Sequence, residues 1–276
     1  MTESSTAPAA SISQQYDLFQ ASFEALGKPR KYLNYGYTDG YFQSYEHRQE
    51  RLCLEVFSAA DICEHHCIID VGFGSGEQDF LLARTRPFDR LTGFNISERQ
   101  VRYASARAAA ENVAHKLEFR LGEAESLANV PNGSIDRLLA IECAFYFDRP
   151  RFYRRAAEVL KPGGRAIVAD ICFADSMAAF VRARENLQRM GTRAGNRAEW
   201  EKHFVTRSVR DIGRWTLPGA QLTVFKILQI VPFSSFDGPT VREWLKMAYN
   251  SQLIALGLLT NVVCYDLVVL EKPGAP

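Results

Sequence analysis

Short apolar runs that alternate with helical patterns constrain the fold of this chain more than any other feature. Parallel strands need crossover connections, and helices in those connections cover both faces of a sheet. We therefore predict an α/β fold on a mostly parallel sheet. The first five predicted strands are Cys67–Val71, Arg90–Phe94, Lys116–Leu121, Ile135–Ile141 and Arg165–Cys172. The predicted helices among them are Glu77–Arg84, Ser97–Asn112 and Arg151–Leu160, with Ser97 and Gln100 forming a capping box.

The segments on either side of this core add helices and two more strands. Helical spacing over Gln14–Leu26 and Gln43–Phe57 flanks an aromatic segment, Lys31–Phe42. After residue 175 we predict, in order, helices Ser176–Arg189 and Arg197–Arg214, strand Leu222–Val231, helix Pro239–Leu256 and strand Val262–Glu271. The predicted organisation is a disordered tail (1–13), an N-terminal helical arm with the aromatic segment (14–60), a core (61–175), a helical cap (176–215) and a C-terminal part of the sheet with an inserted helix (216–276).

Composition excludes several functional classes. Lys and Arg number 33 against 32 Asp and Glu, so no overall field attracts nucleic acid. The chain has no run of about 18 apolar residues, and its start lacks the order of a signal peptide. Six scattered cysteines favour a reducing cytoplasm over a disulfide framework. We expect a cytoplasmic protein without a membrane span or a nucleic-acid partner, and the formation of a homo-oligomer stays open.

The segment from Cys63 to Cys67 holds two cysteines and two histidines. It would bind a metal only if this short segment converged on a tetrahedral site, and no second ligand cluster follows. The alternative is a polar turn that leads into the first strand. We expect the turn and no metal.

A glycine-rich turn follows the first predicted strand. Gly72, Gly74 and Gly76 alternate after Asp70, and they allow a sharp turn and the close approach of a ligand. Strand ends of this kind form ligand sites in open parallel sheets. A dinucleotide site would favour glycine at position 77, but the chain has Glu77, which would compete with a pyrophosphate for the helix N-terminus. A purely structural turn is the alternative.

The Asp-x-Gly-x-Gly-x-Gly spacing resembles the first motif of class I S-adenosylmethionine-dependent methyltransferases. The second strand end, Gly93-Phe-Asn-Ile-Ser97 with Gln100, looks like the small-molecule branch that acts on sterols, tocopherols, terpenoids and macrolides. Leu160-Lys-Pro-Gly-Gly164 is similar to the family's turn before the fifth strand. The resemblance covers most of residues 32–175. It implies a Rossmann-like, seven-stranded, mostly parallel sheet with helices on both faces, and S-adenosyl-L-methionine as cofactor.

The resemblance also implies a set of cofactor-binding residues. Asn95 stands where the family usually has an acid that binds the ribose, and a neutral amide can still donate and accept. Glu123 and Ala124 are similar to a Gly-Asp-Ala motif whose acid faces the adenine amine, and Tyr32–Tyr37 resembles a segment that closes over the cofactor. Solvated strand ends are the alternative for Asn95 and Glu123. The predicted set is Tyr32, Asp70, Gly72, Gly74, Gly76, Asn95, Ile96, Gln100, Glu123, Ala124 and Glu142.

Three residues are candidates for catalysis. Glu142 follows the strand that the resemblance places beside the transferred methyl group, and a carboxylate there is either desolvated for function or paired structurally. Tyr146 stands where many relatives have histidine, and a core tyrosine with a satisfied hydroxyl is the alternative. Tyr35 belongs to the aromatic segment and is a further candidate for the proton acceptor.

These residues predict methyl transfer to a small apolar acceptor. The missing histidine favours a carbon acceptor, because a hydroxyl acceptor needs a general base of near-neutral pKa. Apolar stretches at 225–236 and 244–259 favour an oily molecule, such as a prenylated or terpenoid product of secondary metabolism. The chain in this respect resembles bacterial terpenoid C-methyltransferases, including the teleocidin type. The alternatives are an O-methyltransferase of a natural product, an NAD-dependent oxidoreductase and a non-catalytic cofactor-binding protein.

Overall fold

A seven-stranded sheet lies at the centre of the computed structural model, which describes residues 9–27, 32–40, 43–230 and 237–274. Strands β1 to β7 are, in chain order, Cys67–Val71, Arg90–Asn95, Leu117–Leu121, Ile135–Ile141, Leu160–Phe173, Val205–Asp211 and Val263–Glu271. Their spatial order is β3-β2-β1-β4-β5-β7-β6. Strands β1 to β5 pair in parallel, and β7 pairs antiparallel with both β5 and β6. The predicted Rossmann-like sheet is confirmed.

Alternation along the central strands places apolar side chains on both faces of the sheet. In β1, Ile68 packs into one hydrophobic cluster and Ile69 into the other. In β4, Leu139 packs into the same cluster as Ile68, and Leu138 packs into the same cluster as Ile69. Both faces are therefore buried, which explains why adjacent residues of these strands are apolar.

Helices α1 to α9 are, in chain order, Ala9–Ala25, Tyr45–Ala60, Glu77–Thr85, Glu98–Ala110, Arg149–Val159, Ala178–Arg182, Arg193–Trp200, Gly213–Ile230 and Gly238–Leu259. Helices α2, α3 and α4 supply one hydrophobic cluster, and α5 and α7 supply the other. Helix α1 packs against α9. The ring centroids of Phe19 and Trp244 lie 4.4 Å apart, and Trp244 Nε1 donates to Ser22 Oγ at 3.1 Å.

Four predicted segments differ from the structure. The predicted helix Ser176–Arg189 is reduced to the short helix α6, with 3₁₀ turns at Asp175–Met177 and Glu185–Leu187 on either side of it. Helix α1 begins at Ala9, so residues 9–13 of the predicted tail are helical, while residues 1–8 lie outside the described part. The predicted helix Arg197–Arg214 contains the edge strand β6, and the predicted cap therefore includes part of the sheet. The predicted strand Leu222–Val231 belongs to α8 up to residue 230, because its apolar side chains pack against helices and not against a sheet.

None of the helices in the described part of the chain has the length and apolar character of a membrane span.

The segment around Cys63 is a turn, in which His66 Nδ1 accepts the backbone N–H of Cys63 at 3.0 Å. Cys67 then opens β1 and is half-buried.

Candidate functional site

Two cavities adjoin at the carboxyl ends of the central strands. The first, of about 710 Å³, lies over the ends of β1, β2 and β4. The second, of about 750 Å³, lies between α1, α8, α9 and the end of β5. Each has the size of a small-molecule site. Their position beside β1, where crossovers lead to opposite sides, is the usual ligand position in an open α/β sheet.

The glycine-rich turn forms the floor of the first cavity. Gly72, Gly74 and Gly76 have φ of 70°, 59° and 80°, in the left-handed region that favours glycine. A Cβ on Gly72 would lie 2.7 Å from that of Cys143. Gly72 and Gly74 line the cavity, whereas Gly76 is the N-cap of α3 and shapes the turn from behind.

Asp70 lies beneath this turn and not in the cavity wall, so its contact with the cofactor stays a prediction. Its side chain is fully buried and accepts from Gln78 Nε2 at 2.6 Å. Burial raises the pKa of Asp70 to about 6, and burial next to Asp70 raises the pKa of Asp79 still further above its usual range. Burial and the like charge of a neighbouring carboxylate both oppose ionisation here, and neither carboxyl lines the cavity.

Asn95 and Gln100 form a network at the end of β2. Asn95 Nδ2 donates to Gln100 Oε1 at 2.8 Å, and Ser97 N–H donates to Asn95 Oδ1 at 3.0 Å. Ser97 Oγ caps α4 as predicted. In a capping box the Gln100 side chain would accept the Ser97 backbone N–H, but here Asn95 Oδ1 accepts it. Gln100 Nε2 is left as a buried donor without a partner among the described residues. Such a group calls for an acceptor on a ligand.

Most of the predicted cofactor-binding residues do come together around the first cavity. Those that line it are Gly72, Gly74, Asn95, Ile96, Gln100, Glu123, Ala124 and Glu142. Tyr32 instead faces the second cavity. Asn34 lines the first cavity although the sequence did not single it out, and its Oδ1 is a buried acceptor without a partner among the described residues.

Four residues line both cavities and mark the junction between them. They are Tyr16, Leu33, Glu142 and Tyr146. The hydroxyls of Tyr16 and Tyr146 lie 3.2 Å apart, and their rings meet edge to face. We name these four residues the junction. Sequence reasoning found Glu142 and Tyr146 but missed Tyr16 and Leu33, because an aromatic residue on a helix and a leucine in a loop carry no local functional signal.

Glu142 is held at the junction in a strained backbone conformation. Its φ is 51°, which is unfavourable for a residue with a side chain. Its Oε1 accepts the backbone N–H of Tyr35 at 2.8 Å and the hydroxyl of Tyr265 at 2.9 Å. Desolvation raises the pKa of Glu142 to about 8, against the lowering effect of these two hydrogen bonds. The exposed part of the side chain faces the cavities.

The second cavity is mainly apolar and is rich in tyrosine. Tyr35 lines it, and the Tyr35 hydroxyl interacts with Ser251 of α9. Tyr45 forms a 2.7 Å hydrogen bond with Thr223 of α8. The aromatic segment contributes to the wall together with Phe180, Leu187 and Met190, and α8 and α9 contribute much of the rest. The described residues that line this cavity include no histidine.

Comparisons with known proteins agree with this geometry. Residues 69–168 match a family model described as a methyltransferase domain. Erythromycin 3''-O-methyltransferase of Saccharopolyspora erythraea is 38% identical over 159 residues, which are 56% of this chain and 51% of that protein. The chain therefore spans about half the length of this curated relative.

Two solved structures share the fold over nearly the whole chain. The [4+2]-cyclase SpnF has a TM-score of 0.80 and 21% identity, with full coverage of both chains. Geranyl diphosphate C-methyltransferase from Streptomyces coelicolor A3(2), solved with S-adenosyl-L-homocysteine, has a TM-score of 0.67 and 14% identity, with 97% and 99% coverage. At these identities the likeness is one of fold.

Proposed function

We propose that this chain is a class I methyltransferase whose cofactor is S-adenosylmethionine, and that it transfers a methyl group to a carbon atom of a small, apolar acceptor. The observation that carries this proposal is the junction: a cavity with a mixed polar and apolar wall meets a mainly apolar cavity of similar size at Tyr16, Leu33, Glu142 and Tyr146. A donor in one and an acceptor in the other would face each other there.

The first cavity offers polar groups that suit the cofactor. Gln100 Nε2 is a buried donor in need of an acceptor, as a ribose hydroxyl would provide. Asn34 Oδ1 is a buried acceptor in need of a donor, as an ammonium group would provide. Gly74 keeps the backbone free of a side chain where the ligand approaches.

The chain's residues would align the reactants and exclude water. When bound, the cofactor supplies an activated methyl group on a sulfonium. Tyr16 and Tyr146 meet edge to face at the junction with their hydroxyls in contact, and α1 and the aromatic segment form part of the cavity wall there. Alignment and the exclusion of water supply much of the acceleration in such a displacement.

Glu142 is the best candidate for the proton acceptor. Burial raises the pKa values of Tyr16, Tyr35 and Tyr146 above their ordinary value, so these hydroxyls stay protonated at neutral pH. Glu142 has a pKa of about 8, in the range where a carboxyl both gives and takes protons. It lines both cavities, as a proton acceptor for the methylated product must.

The tyrosine-rich second cavity favours carbon as the methylated atom. Methyl transfer to an alkene leaves a carbocation, and aromatic faces stabilise cations. Phe145 and Tyr35 are among the rings that line this apolar space. A prenylated or terpenoid natural product would suit these walls. Methyl transfer to oxygen is the second candidate, because the curated relative from S. erythraea is named as an O-methyltransferase.

Labelled cofactor tests the proposal. We expect that incubation with methyl-labelled S-adenosylmethionine and a panel of prenylated compounds gives a product with the label on carbon. A label on oxygen or nitrogen would overturn the carbon assignment and leave methyl transfer intact. Calorimetry that detects NAD binding but neither S-adenosylmethionine nor S-adenosylhomocysteine would overturn the methyltransferase function itself.

A further inference from the structure

We propose that Glu142 senses the charge of the bound cofactor, releasing a proton when the sulfonium form binds and keeping it when the neutral thioether product binds. This behaviour presupposes the proposed function, because sulfonium and thioether are the two states of its cofactor. The junction position of Glu142 is the reason: the carboxyl borders the cavity that fits the donor and the cavity that fits the acceptor.

The surroundings of Glu142 stabilise a single negative charge only partly. Two donors reach its Oε1, the Tyr35 N–H and the Tyr265 hydroxyl, and each would strengthen when the carboxyl ionises. Among the described residues, Asp170 is the carboxyl whose charge opposes the ionisation of Glu142, and it pairs with Arg149 at 3.4 Å. The carboxyl is thus poised between two protonation states.

The groups that face Glu142 leave a place for a cation. They come from the aromatic segment, from α2, from β5, from the turn after β4 and from β7. The titratable members are Tyr35, Tyr45, Cys53, Asp170, Tyr146 and Tyr265. In the described part of the chain none of these is cationic, and Arg149 is engaged by Asp170. A ligand cation at the junction would therefore be the first positive charge to act directly on this carboxyl.

The size of the effect follows from Coulomb's law. A unit charge about 5 Å from the carboxyl, at an effective dielectric constant of about 20, lowers a carboxyl pKa by about two units. The pKa of Glu142 is about 8 without such a charge. A shift of that size would leave the carboxyl mostly protonated before binding and mostly ionised after it at pH 7.

This coupling would supply the base for the reaction and then remove it. Binding of the sulfonium drives the Glu142 proton into solvent and creates a carboxylate at the junction. Methyl transfer breaks the sulfur–methyl bond, forms the acceptor–methyl bond and leaves a neutral thioether. The acceptor then loses one proton, which the carboxylate takes up. Charge and protons balance, and the neutral carboxyl no longer holds the product through its charge.

Calorimetry on the full chain tests this coupling directly. Titrations with S-adenosylmethionine and with S-adenosylhomocysteine, each in two buffers of different ionisation enthalpy, give the number of protons released. We expect about 0.8 more proton released with S-adenosylmethionine at pH 7. The affinity ratio of the two ligands should rise about fivefold per pH unit between pH 6 and 8 in favour of S-adenosylmethionine. Groups common to both ligands cancel in this comparison.

Two variants complete the experiment. Glu142→Gln should abolish the difference in proton release and the pH dependence of the affinity ratio, whereas Tyr146→Phe, at the same junction, should keep both. If wild-type protein binds both ligands with equal proton release, the coupling is wrong and the proposed function stands. If it binds neither ligand, the proposed function fails. A difference that persists in Glu142→Gln would assign the proton to another group and would also overturn the inference.

Discussion

Gly72 and Gly133 have the same backbone requirement but different surroundings. Gly72 has φ of 70° and would place a Cβ 2.7 Å from Cys143, while Gly133 has φ of 63° and open space around it. The first position combines conformational strain with a clash in the core, and the second has the strain alone. Comparison of the two positions therefore separates the conformational requirement for glycine from the packing requirement.

We expect Gly72→Ala to lower the free energy of unfolding by about 2 to 4 kcal/mol, the sum of left-handed strain and overpacking. Gly133→Ala should lower it by only about 1 kcal/mol, because only the strain remains. Denaturant titrations of both variants measure the difference. Equal losses would show that Cys143 moves freely and that the close approach does not constrain the turn.

Gln100 offers a second test at a single residue. We expect Gln100→Glu to weaken the binding of S-adenosylhomocysteine by about 1 to 2 kcal/mol, because it removes the Nε2 donor and keeps the acceptor for Asn95. Isothermal titration calorimetry gives the affinity. Gln221→Ala, at an exposed position on α8, is the control and should bind as wild type. Unchanged affinity in Gln100→Glu would move the ribose contact to another residue.

At the scale of elements, the aromatic segment is held between α2 and α8 by two close contacts. A Cβ on Gly36 would lie 2.7 Å from the backbone of Arg48, and one on Gly219 would lie 1.5 Å from Tyr35 O. Backbone bonds reinforce this position, since Thr38 N–H donates to Trp215 O at 2.8 Å. Tyr35 N–H also donates to Glu142. The packing of α8 against the aromatic segment therefore helps to position Glu142 at the junction.

Gly219→Ala should therefore displace the aromatic segment. We expect faster amide exchange at residues 35–38, a lower melting temperature and at least a tenfold loss of methyl transfer, because misplacement of a catalytic group by about 1 Å has an effect of this order. Gly238→Ala, in open space at the start of α9, is the matched control and should change neither exchange nor melting. If amide exchange at residues 35–38 in Gly219→Ala is the same as in wild type, then α8 moves to accommodate the new side chain and the aromatic segment keeps its position.

At the scale of the whole molecule, burial of carboxyls sets the response to pH. Desolvation raises the pKa of Asp70 to about 6, of Asp170 to about 7 and of Glu142 to about 8. The unfolded chain ionises these groups near pH 4. Between these values the folded state binds more protons than the unfolded state, so stability falls as pH rises. Carboxyls with lowered pKa, such as Asp136 and Glu271, act at lower pH and do not offset this loss.

We expect the free energy of unfolding of the ligand-free protein to fall by about 1 to 3 kcal/mol per pH unit between pH 5 and 6. Above pH 7 both Glu142 and Asp79 should contribute to the remaining slope, so Glu142→Gln should make the slope shallower there and leave the slope at pH 5 nearly as steep. Denaturant unfolding at several pH values is the measurement. A stability that rises from pH 5 to 8 would contradict these pKa directions.

The sequence by itself determined the central sheet and the turn that holds the site. The bounds of β1 and β4 were predicted without error, because strands buried on both faces place apolar residues next to one another in the sequence. The glycines after Asp70 located the floor of the first cavity, since left-handed backbone conformations favour glycine wherever they occur. Local chemistry was sufficient for these features.

Only the tertiary structure decided β6, α8 and the junction. Strand β6 is an edge strand with mostly exposed side chains, so its hydrogen bonds to β7, and no local pattern, make it a strand. The apolar run within α8 suits a buried strand or a buried helix equally, and packing against α9 selects the helix. Tyr16 and Tyr265 reach Tyr146 and Glu142 from opposite ends of the chain. Contacts and desolvation of this kind exist only after folding brings distant segments together, and they set both the geometry and the pKa of the junction.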